Sequence, residues 1–173
     1  SSFELEAQLK GSSKEHYLND IKGVLEKATF TYVRQKEILG LGHAILTGKP
    51  LIGNEPFAVI LADDLCDYDE STVMSQMVKI YEEYKCSIVA IEEVPINQTN
   101  KYGIISGDFL DNKKEIIKIS NMIEKPDIKD APSNLAIIGR YILTPDIFDI
   151  LKKIKPSKNQ EIQITDALLV QAK

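Results

Sequence analysis

Residues 56–64 read PFAVILADD, an apolar run from Pro56 to Ala62 closed by two consecutive acids, Asp63 and Asp64. Such a run predicts a strand over Pro56–Leu61 buried on both faces, the pattern of parallel sheets flanked by helices. Beyond it, Ser71–Tyr84 (STVMSQMVKIYEEY) brings Val73, Met77, Ile80, Tyr81 and Tyr84 to one side of a helix, and Ser87–Ile91 (SIVAI) is a second buried-strand run. Strand, helix, strand at this spacing predicts a βαβ unit with a right-handed crossover. Further strands are expected over Tyr102–Ser106, Ile116–Glu124 and Leu135–Leu143, and closing helices over Pro145–Lys153 and Glu161–Ala172. Before the decisive stretch, Phe3–Lys10 and Ser12–Lys27 read as helices. Ser12 or Ser13 caps the second, and Tyr17, Leu18, Ile21, Val24 and Leu25 form its apolar stripe. Phe30–Arg34 (FTYVR) reads as a short strand. Gln35–Gly42 (QKEILGLG) is a glycine-bearing loop leading into a helix from His43 to about Thr47. The alternation of elements predicts a three-layer α/β fold with a mixed, mostly parallel sheet, in which ligands collect at the carboxyl ends of strands.

The composition suits that reading. The chain has 173 residues, 43% hydrophobic and 27% charged, which excludes collagen, coiled coil and a disordered chain. A net charge of −5 argues against nucleic acid as a partner. No apolar run approaches the roughly 18 residues that span a bilayer, and Ser1–Glu4 have no signal-peptide character. Cys66 and Cys86 have no metal-ligand spacing and are expected as buried free thiols. A soluble cytoplasmic protein without a membrane partner is the expectation.

Three groups of residues could carry chemistry. Asp63 and Asp64 stand where a buried strand ends. Mg2+ takes one or two carboxylates plus substrate phosphates, and neighbouring side chains of a strand face opposite ways, so one of the two acids would serve. A helix cap or solvated turn is the competing reading. In the loop Gln35–Gly42, Gly40 and Gly42 permit close backbone approach to a base or phosphate, although an ordinary turn reads as well. The loop matches neither a dinucleotide fingerprint nor a Walker loop. His43 has no nucleophilic partner at a recognisable spacing and reads as packing or a cap. Glu124–Lys125–Pro126 could join a hydroxyl acceptor to a phosphate-binding cation, or be a surface ion pair. Tyr102–Gly103 could start a strand or let a ligand approach the backbone.

Taken in order, TYVRQ, GLGHAI, GNEPFAVILADD, KYGIIS, MIEKP, APSNLAIIGRYIL and NQEIQITDAL make the chain similar to the bacterial UTP–glucose-1-phosphate uridylyltransferases, also called UDP-glucose pyrophosphorylases. The likeness runs from about Phe3 to Lys173. It implies a Rossmann-like nucleotidyltransferase fold, Mg2+ as cofactor, and the joining of UTP to glucose 1-phosphate to give UDP-glucose and pyrophosphate. It also implies roles for individual residues. Gln35 and Gly40 would read the uracil, Asp63 would ligate Mg2+, and Tyr102, Gly103 and Glu124 would hold glucose. Lys125 would reach the sugar phosphate, so that Asp63 and Lys125 carry the catalytic step, while Asp64 has no catalytic role.

The resemblance lacks the family's opening GxGTRxxPxTKxxPKE loop and its closing DCG segment. It therefore implies the central part of such an enzyme: a single nucleotidyltransferase domain over residues 1–173, incomplete at both ends and inactive alone. The family's first two strands would lie between the strands at Phe30–Arg34 and Pro56–Leu61, leaving an open edge prone to self-association, and a homo-oligomer is expected. Two other readings stand beside this one. Gln35 would separate uracil from thymine poorly, which leaves room for a related enzyme of another base or sugar. A catalytically incomplete module that binds sugar nucleotides or self-associates is the other.

Overall fold

The computed structural model describes residues 3–18, 23, 27–67, 71–110, 113–157 and 159–173. The chain divides into two compact units, residues 1–34 and 35–173.

In the first unit, helix α1 spans Phe3–Leu9. Ser12 follows it, its Oγ donating to the Leu9 carbonyl at 2.7 Å and accepting from the Lys14 amide at 3.2 Å within the turn that joins the two helical segments. The next helical turn covers residues 16–18; Ile21, Val24 and Leu25 of the expected stripe lie outside the described residues. The strand expected at Phe30–Arg34 is not formed. Phe30, Tyr32 and Val33 are exposed coil. A strand persists only when its backbone groups are paired, and no ladder partner for this segment exists among the described residues.

The second unit contains α2 (Gly40–Thr47), α3 (Lys49–Ile52), β1 (Phe57–Ile60), α4 (Val73–Tyr84), β2 (Ile88–Glu93), β3 (Gly103–Leu110), β4 (Lys113–Glu124), β5 (Leu135–Leu143), α5 (Ile147–Leu151) and α6 (Ile164–Gln171). Short 3₁₀ helices at Ile96–Lys101 and Ile128–Asp130 join them. The expected strands and helices are thus present with ends moved by a few residues. The apolar period fixes α4, whose Thr72 side chain accepts from the Ser75 amide at 3.1 Å and whose end is turned by Lys85 at φ 52°.

Strand β5 organises the sheet. It pairs antiparallel with β1 (Phe57↔Leu143 to Ile60↔Arg140), with β2 (Ile88↔Ile142 to Glu93↔Leu135) and with β3 (Ile104↔Ala136, Ile105↔Leu135). Because β1 and β2 share the partners Tyr141 and Ile142, they occupy opposite edges of β5. Strands β2 and β3 share Leu135 and Ala136, so β3 lies on the same edge as β1. Strand β4 completes an antiparallel hairpin with β3.

Strands β1 and β2 do run parallel to each other, as a βαβ unit requires, but β5 is inserted between them. Every pairing among the described residues is therefore antiparallel, which corrects the expectation of mostly parallel pairing. Periodicity reads which face of a strand is buried; it does not read its neighbours.

The side chains of β5 alternate between two cores. Ile137, Tyr141 and Leu143 face Ile45 of α2, Ile147, Phe148 and Leu151 of α5, and Ile164 and Leu168 of α6. Ile138 and Ile142 face Met77, Val73 and Tyr81 of α4. Helices on both faces make the three α/β layers expected from the sequence. One strand is less covered than expected: Ala58 and Ile60 of β1 are exposed, because α4 packs over β2 and β5 and its core includes no residue of β1. Cys66 is half-buried and Cys86 exposed, so the cysteines are free thiols but not buried ones.

Candidate active site

Strands β1 and β3 share one edge of β5 without meeting. The β1 ladder stops at the Ile60↔Arg140 pair and the β3 ladder starts at Ala136, so the edge of β5 is uncovered by a strand between Ile137 and Gly139. A cavity of about 550 Å³ opens there. Its walls are the turn after β1 with Asp63 and Asp64, the start of β3 with Tyr102 and Gly103, and the end of β4 with Glu124 and Lys125. Residues of β5, the start of α2 and the start of α6 complete it. This is the carboxyl end of β1, where a doubly wound fold gathers its ligands.

On the β1 side, the two aspartates behave differently. Asp63 is exposed and has no hydrogen bond or ion pair among the described residues. Asp64 is turned inward, its Oδ2 accepting from the Gly139 amide at 2.6 Å. A strand's alternation separates the two acids in principle; here a turn at residues 62–63 does so in fact.

The opposite wall is built on a cross-strand pair, Gly103↔Glu124. Glu124 Oε2 accepts from the Thr165 hydroxyl at 3.1 Å, and Oε1 lies 3.9 Å from Lys125 Nζ. Gly103 makes room for this arrangement. A Cβ there would stand 2.8 Å from Thr165 Cγ2 and 3.2 Å from Glu124 Oε2. Burial pushes the Glu124 carboxyl above its ordinary pKa, the charges of Asp166 and Glu161 add to the rise, and the Thr165 hydroxyl and Lys125 oppose it. Lys125 adopts φ 45°, a left-handed conformation rare for a side chain with a Cβ, with its amide donating to the Tyr102 carbonyl at 2.9 Å. Its ammonium end is largely exposed.

The remaining candidates meet at the start of α2. Gly40 (φ 84°) lies on the cavity wall against Glu161. Gln35 is not on that wall. Its Nε2 donates to the Gly40 carbonyl at 3.3 Å and lies 2.8 Å from His43 Nδ1, so His43 serves to hold Gln35. Segment 39–42 is tied to the chain before α6 by paired bonds, Gly42 N to Ile162 O and Ile162 N to Leu39 O, at 2.9 and 2.8 Å.

The structure thus gathers Gly40, Asp63, Tyr102, Gly103, Glu124 and Lys125 around one cavity, with Gln35 one hydrogen bond behind. It also adds residues that sequence reading passed over. Thr165 is buried and braces Glu124; Gln163 donates to Glu161 at 2.8 Å. Tyr141 is buried on the cavity floor with its hydroxyl pKa pushed up to about 12, by burial first and then by the charges of Glu124 and Asp64. It keeps its proton and remains a hydrogen-bond donor between the two acid-bearing walls.

Comparisons with known proteins agree with this fold. Residues 2–172 match the family described as nucleotidyl transferase. The chain belongs to that family. It is 57% identical over 172 residues to the UTP–glucose-1-phosphate uridylyltransferase of Pseudomonas aeruginosa, covering 99% of this chain and 61% of that protein. An apo UDP-glucose pyrophosphorylase crystal structure superposes with TM-score 0.90 at 58% identity, over 99% of this chain and 63% of the other. A UDP-glucose pyrophosphorylase complexed with UDP-glucose superposes with TM-score 0.89 at 58% identity, over 94% of this chain and 62% of the other. The chain therefore spans about three-fifths of the length of these relatives. The family resemblance read from the sequence agrees with these matches. None of the described helices is long and apolar enough to cross a membrane.

Proposed function

We propose that this nucleotidyl transferase domain belongs to a uridylyltransferase that joins UTP and glucose 1-phosphate, releasing pyrophosphate and leaving UDP-glucose. The observation that carries the reading is the division of labour in the cavity: an unpartnered carboxylate on one wall and a glycine–glutamate–lysine constellation on the other. The uridylyltransferase activity of the similar Pseudomonas aeruginosa protein and the UDP-glucose held by a similar pyrophosphorylase point the same way.

In this reading an oxygen of glucose 1-phosphate attacks the α-phosphorus of UTP in line, a new P–O bond forms, and pyrophosphate leaves with the electron pair of the broken bond. The nucleophile is already anionic, so no general base is needed, and positioning and charge neutralisation carry the catalysis. Gly40 lies against the uracil, and Gln35, expected from the sequence to read the base directly, instead holds Gly40 from behind the wall through its bond to the Gly40 carbonyl. Tyr102 and Gly103 form the backbone floor under the sugar, Glu124 accepts hydrogen bonds from its hydroxyls, and Lys125 reaches the phosphate.

Mg2+ fits the donor set. Among the described residues no three acids, histidines or cysteines form a closed cage, but the exposed Asp63 carboxylate is the open kind of ligand that leaves room for substrate phosphates. When bound there, the ion supplies charge neutralisation to the transferring phosphate. In this reading residues 1–173 form one nucleotidyltransferase domain that spans about three-fifths of its relatives' length, in a protein that is cytoplasmic and homo-oligomeric.

The test is pyrophosphate release by the full-length protein from UTP and glucose 1-phosphate, beside parallel reactions with dTTP and with other hexose 1-phosphates. The reading expects UTP with glucose 1-phosphate to be the best pair. Faster turnover of another base or sugar replaces it with a related transferase, and binding of UDP-glucose without turnover of any pair replaces it with a binding module.

A further inference from the structure

Arg140 stands in β5 beside the cavity and is only 8% exposed, yet no carboxylate lies within ion-pair distance of it among the described residues. Arginine is rarely buried unpaired. Its guanidinium instead meets three backbone carbonyls: Nη1 donates to Leu61 O at 3.1 Å and to Gly139 O at 2.8 Å, and Nη2 donates to Asp64 O. Leu61 and Asp64 are the two feet of the turn whose apex carries Asp63.

The same feet are fastened from β5 by two further bonds, Leu61 N to Gly139 O at 2.9 Å and Gly139 N to Asp64 Oδ2 at 2.6 Å. The contact is close because residue 139 has no side chain; a Cβ would stand 2.8 Å from Leu61 Cβ and 3.0 Å from Asp64 Cβ. These bonds begin where the β1–β5 ladder ends, at Ile60↔Arg140.

We propose that Arg140, together with Asp64 and Gly139, is a positioning clamp that fixes the 61–64 turn and so presents the Asp63 carboxylate to the metal and phosphate side of the cavity. The proposal rests on the transferase reading for what Asp63 does, but its geometric part stands without it. A planar guanidinium can span carbonyls on two segments at once, whereas a lysine ammonium concentrates its donors at one point. The conservative replacement is therefore the informative one.

The experiment compares the full-length protein with its Arg140→Lys and Gly139→Ala variants. Amide hydrogen exchange in the absence of ligands is expected to accelerate at least about tenfold at residues 61 and 139, whose amides donate to the Gly139 carbonyl and to Asp64, in both variants, with the β3–β4 hairpin keeping its rates. Turnover of UTP and glucose 1-phosphate should fall roughly ten- to a hundredfold, the KM for each substrate should stay within about threefold, and half-saturation by Mg2+ should move to higher concentration. Two results overturn the clamp: exchange at residues 61 and 139 that does not accelerate in Arg140→Lys, or accelerated exchange with turnover and Mg2+ half-saturation unchanged, the mark of a merely structural arginine. If the wild-type protein makes no UDP-glucose, the transferase reading falls, and the exchange comparison by itself decides whether the turn is clamped.

Discussion

On the β1 wall of the cavity Asp63 is exposed and unpartnered, while on the β3–β4 wall Glu124 is half-buried, braced by Thr165 and pushed above its ordinary pKa by burial. An exposed carboxylate keeps its charge at little desolvation cost and suits a cation that brings its own phosphate ligands. A carboxylate in a tight, partly dry pocket suits a neutral polyhydroxylated ligand, whose hydroxyls replace the water the acid has lost. The two acids stand on walls that share one edge of β5, and the stretch of that edge left uncovered between Ile137 and Gly139 sets their separation.

The comparison breaks most sharply at Asp63. Asp63→Asn in the full-length protein is expected to lower turnover by about a hundredfold or more, because one charge is removed from the site of phosphoryl transfer. The circular-dichroism spectrum and melting temperature should stay near wild type, since the side chain has no partner among the described residues to lose. Asp64→Asn should be far milder, because an amide oxygen can still accept from the Gly139 N–H. Equal losses in steady-state assays of the two variants would mean that the two acids do not divide as the structure divides them.

Much of this is legible in the sequence itself. The acids at the end of an apolar run, the glycine before Ile104 and the Glu124–Lys125 pair are local signals, and each lines the cavity. Local signals do not specify pairing, which is why the insertion of β5 between β1 and β2 was missed and why Phe30–Arg34, β-rich in sequence, is coil. Tyr141 and Thr165 were hidden for another reason: each sits in an apolar stretch whose period accounts for it as core. Arg140 did leave a trace. A charged residue inside LAIIGRYIL is out of place in a strand buried on both faces, and asking what satisfies it leads to the Leu61 and Asp64 carbonyls.

The second wall is tested by crowding it. Gly103→Ala places a methyl 2.8 Å from Thr165 Cγ2, and the neighbouring strand and helix are both buried. A loss of about 1–3 kcal/mol in chemical denaturation is expected from overpacking of this kind. UDP-glucose affinity measured by calorimetry should fall with it, because the displaced groups are Glu124 and its brace. Unchanged affinity in the folded variant would detach Glu124 from sugar binding.

Glu124→Gln separates charge from shape at the same point. UDP-glucose affinity is expected to fall about tenfold, since a charge-assisted acceptor becomes a neutral one. Stability should move the other way. A carboxyl whose folded pKa is raised stabilises the fold in its protonated form, a contribution fully present below the ordinary glutamate value and lost as pH rises through the raised one. The Gln variant, uncharged throughout, should gain in melting temperature relative to wild type near neutrality and show no such gain in acid. A gap that does not change with pH would mean that ionisation of Glu124 carries no stability penalty.

The smallest effect concerns Lys125, which holds φ 45° at the seam between β4 and the loop that follows. A side chain with a Cβ is strained there by about 1 kcal/mol, and glycine is not. Lys125→Ala and Lys125→Gly both remove the amine and keep the amide that donates to the Tyr102 carbonyl. Turnover should therefore fall to the same extent in both, with kcat affected more than KM if the ammonium acts on the phosphate during transfer. Stability should separate them, with the glycine variant melting higher than the alanine variant by the equivalent of about 0.5–1 kcal/mol, net of the greater freedom glycine gives the unfolded chain. Equal stabilities would show that the conformation is unstrained. Equal turnover to wild type in both would remove Lys125 from the phosphate and leave the left-handed turn as a feature of the hairpin alone.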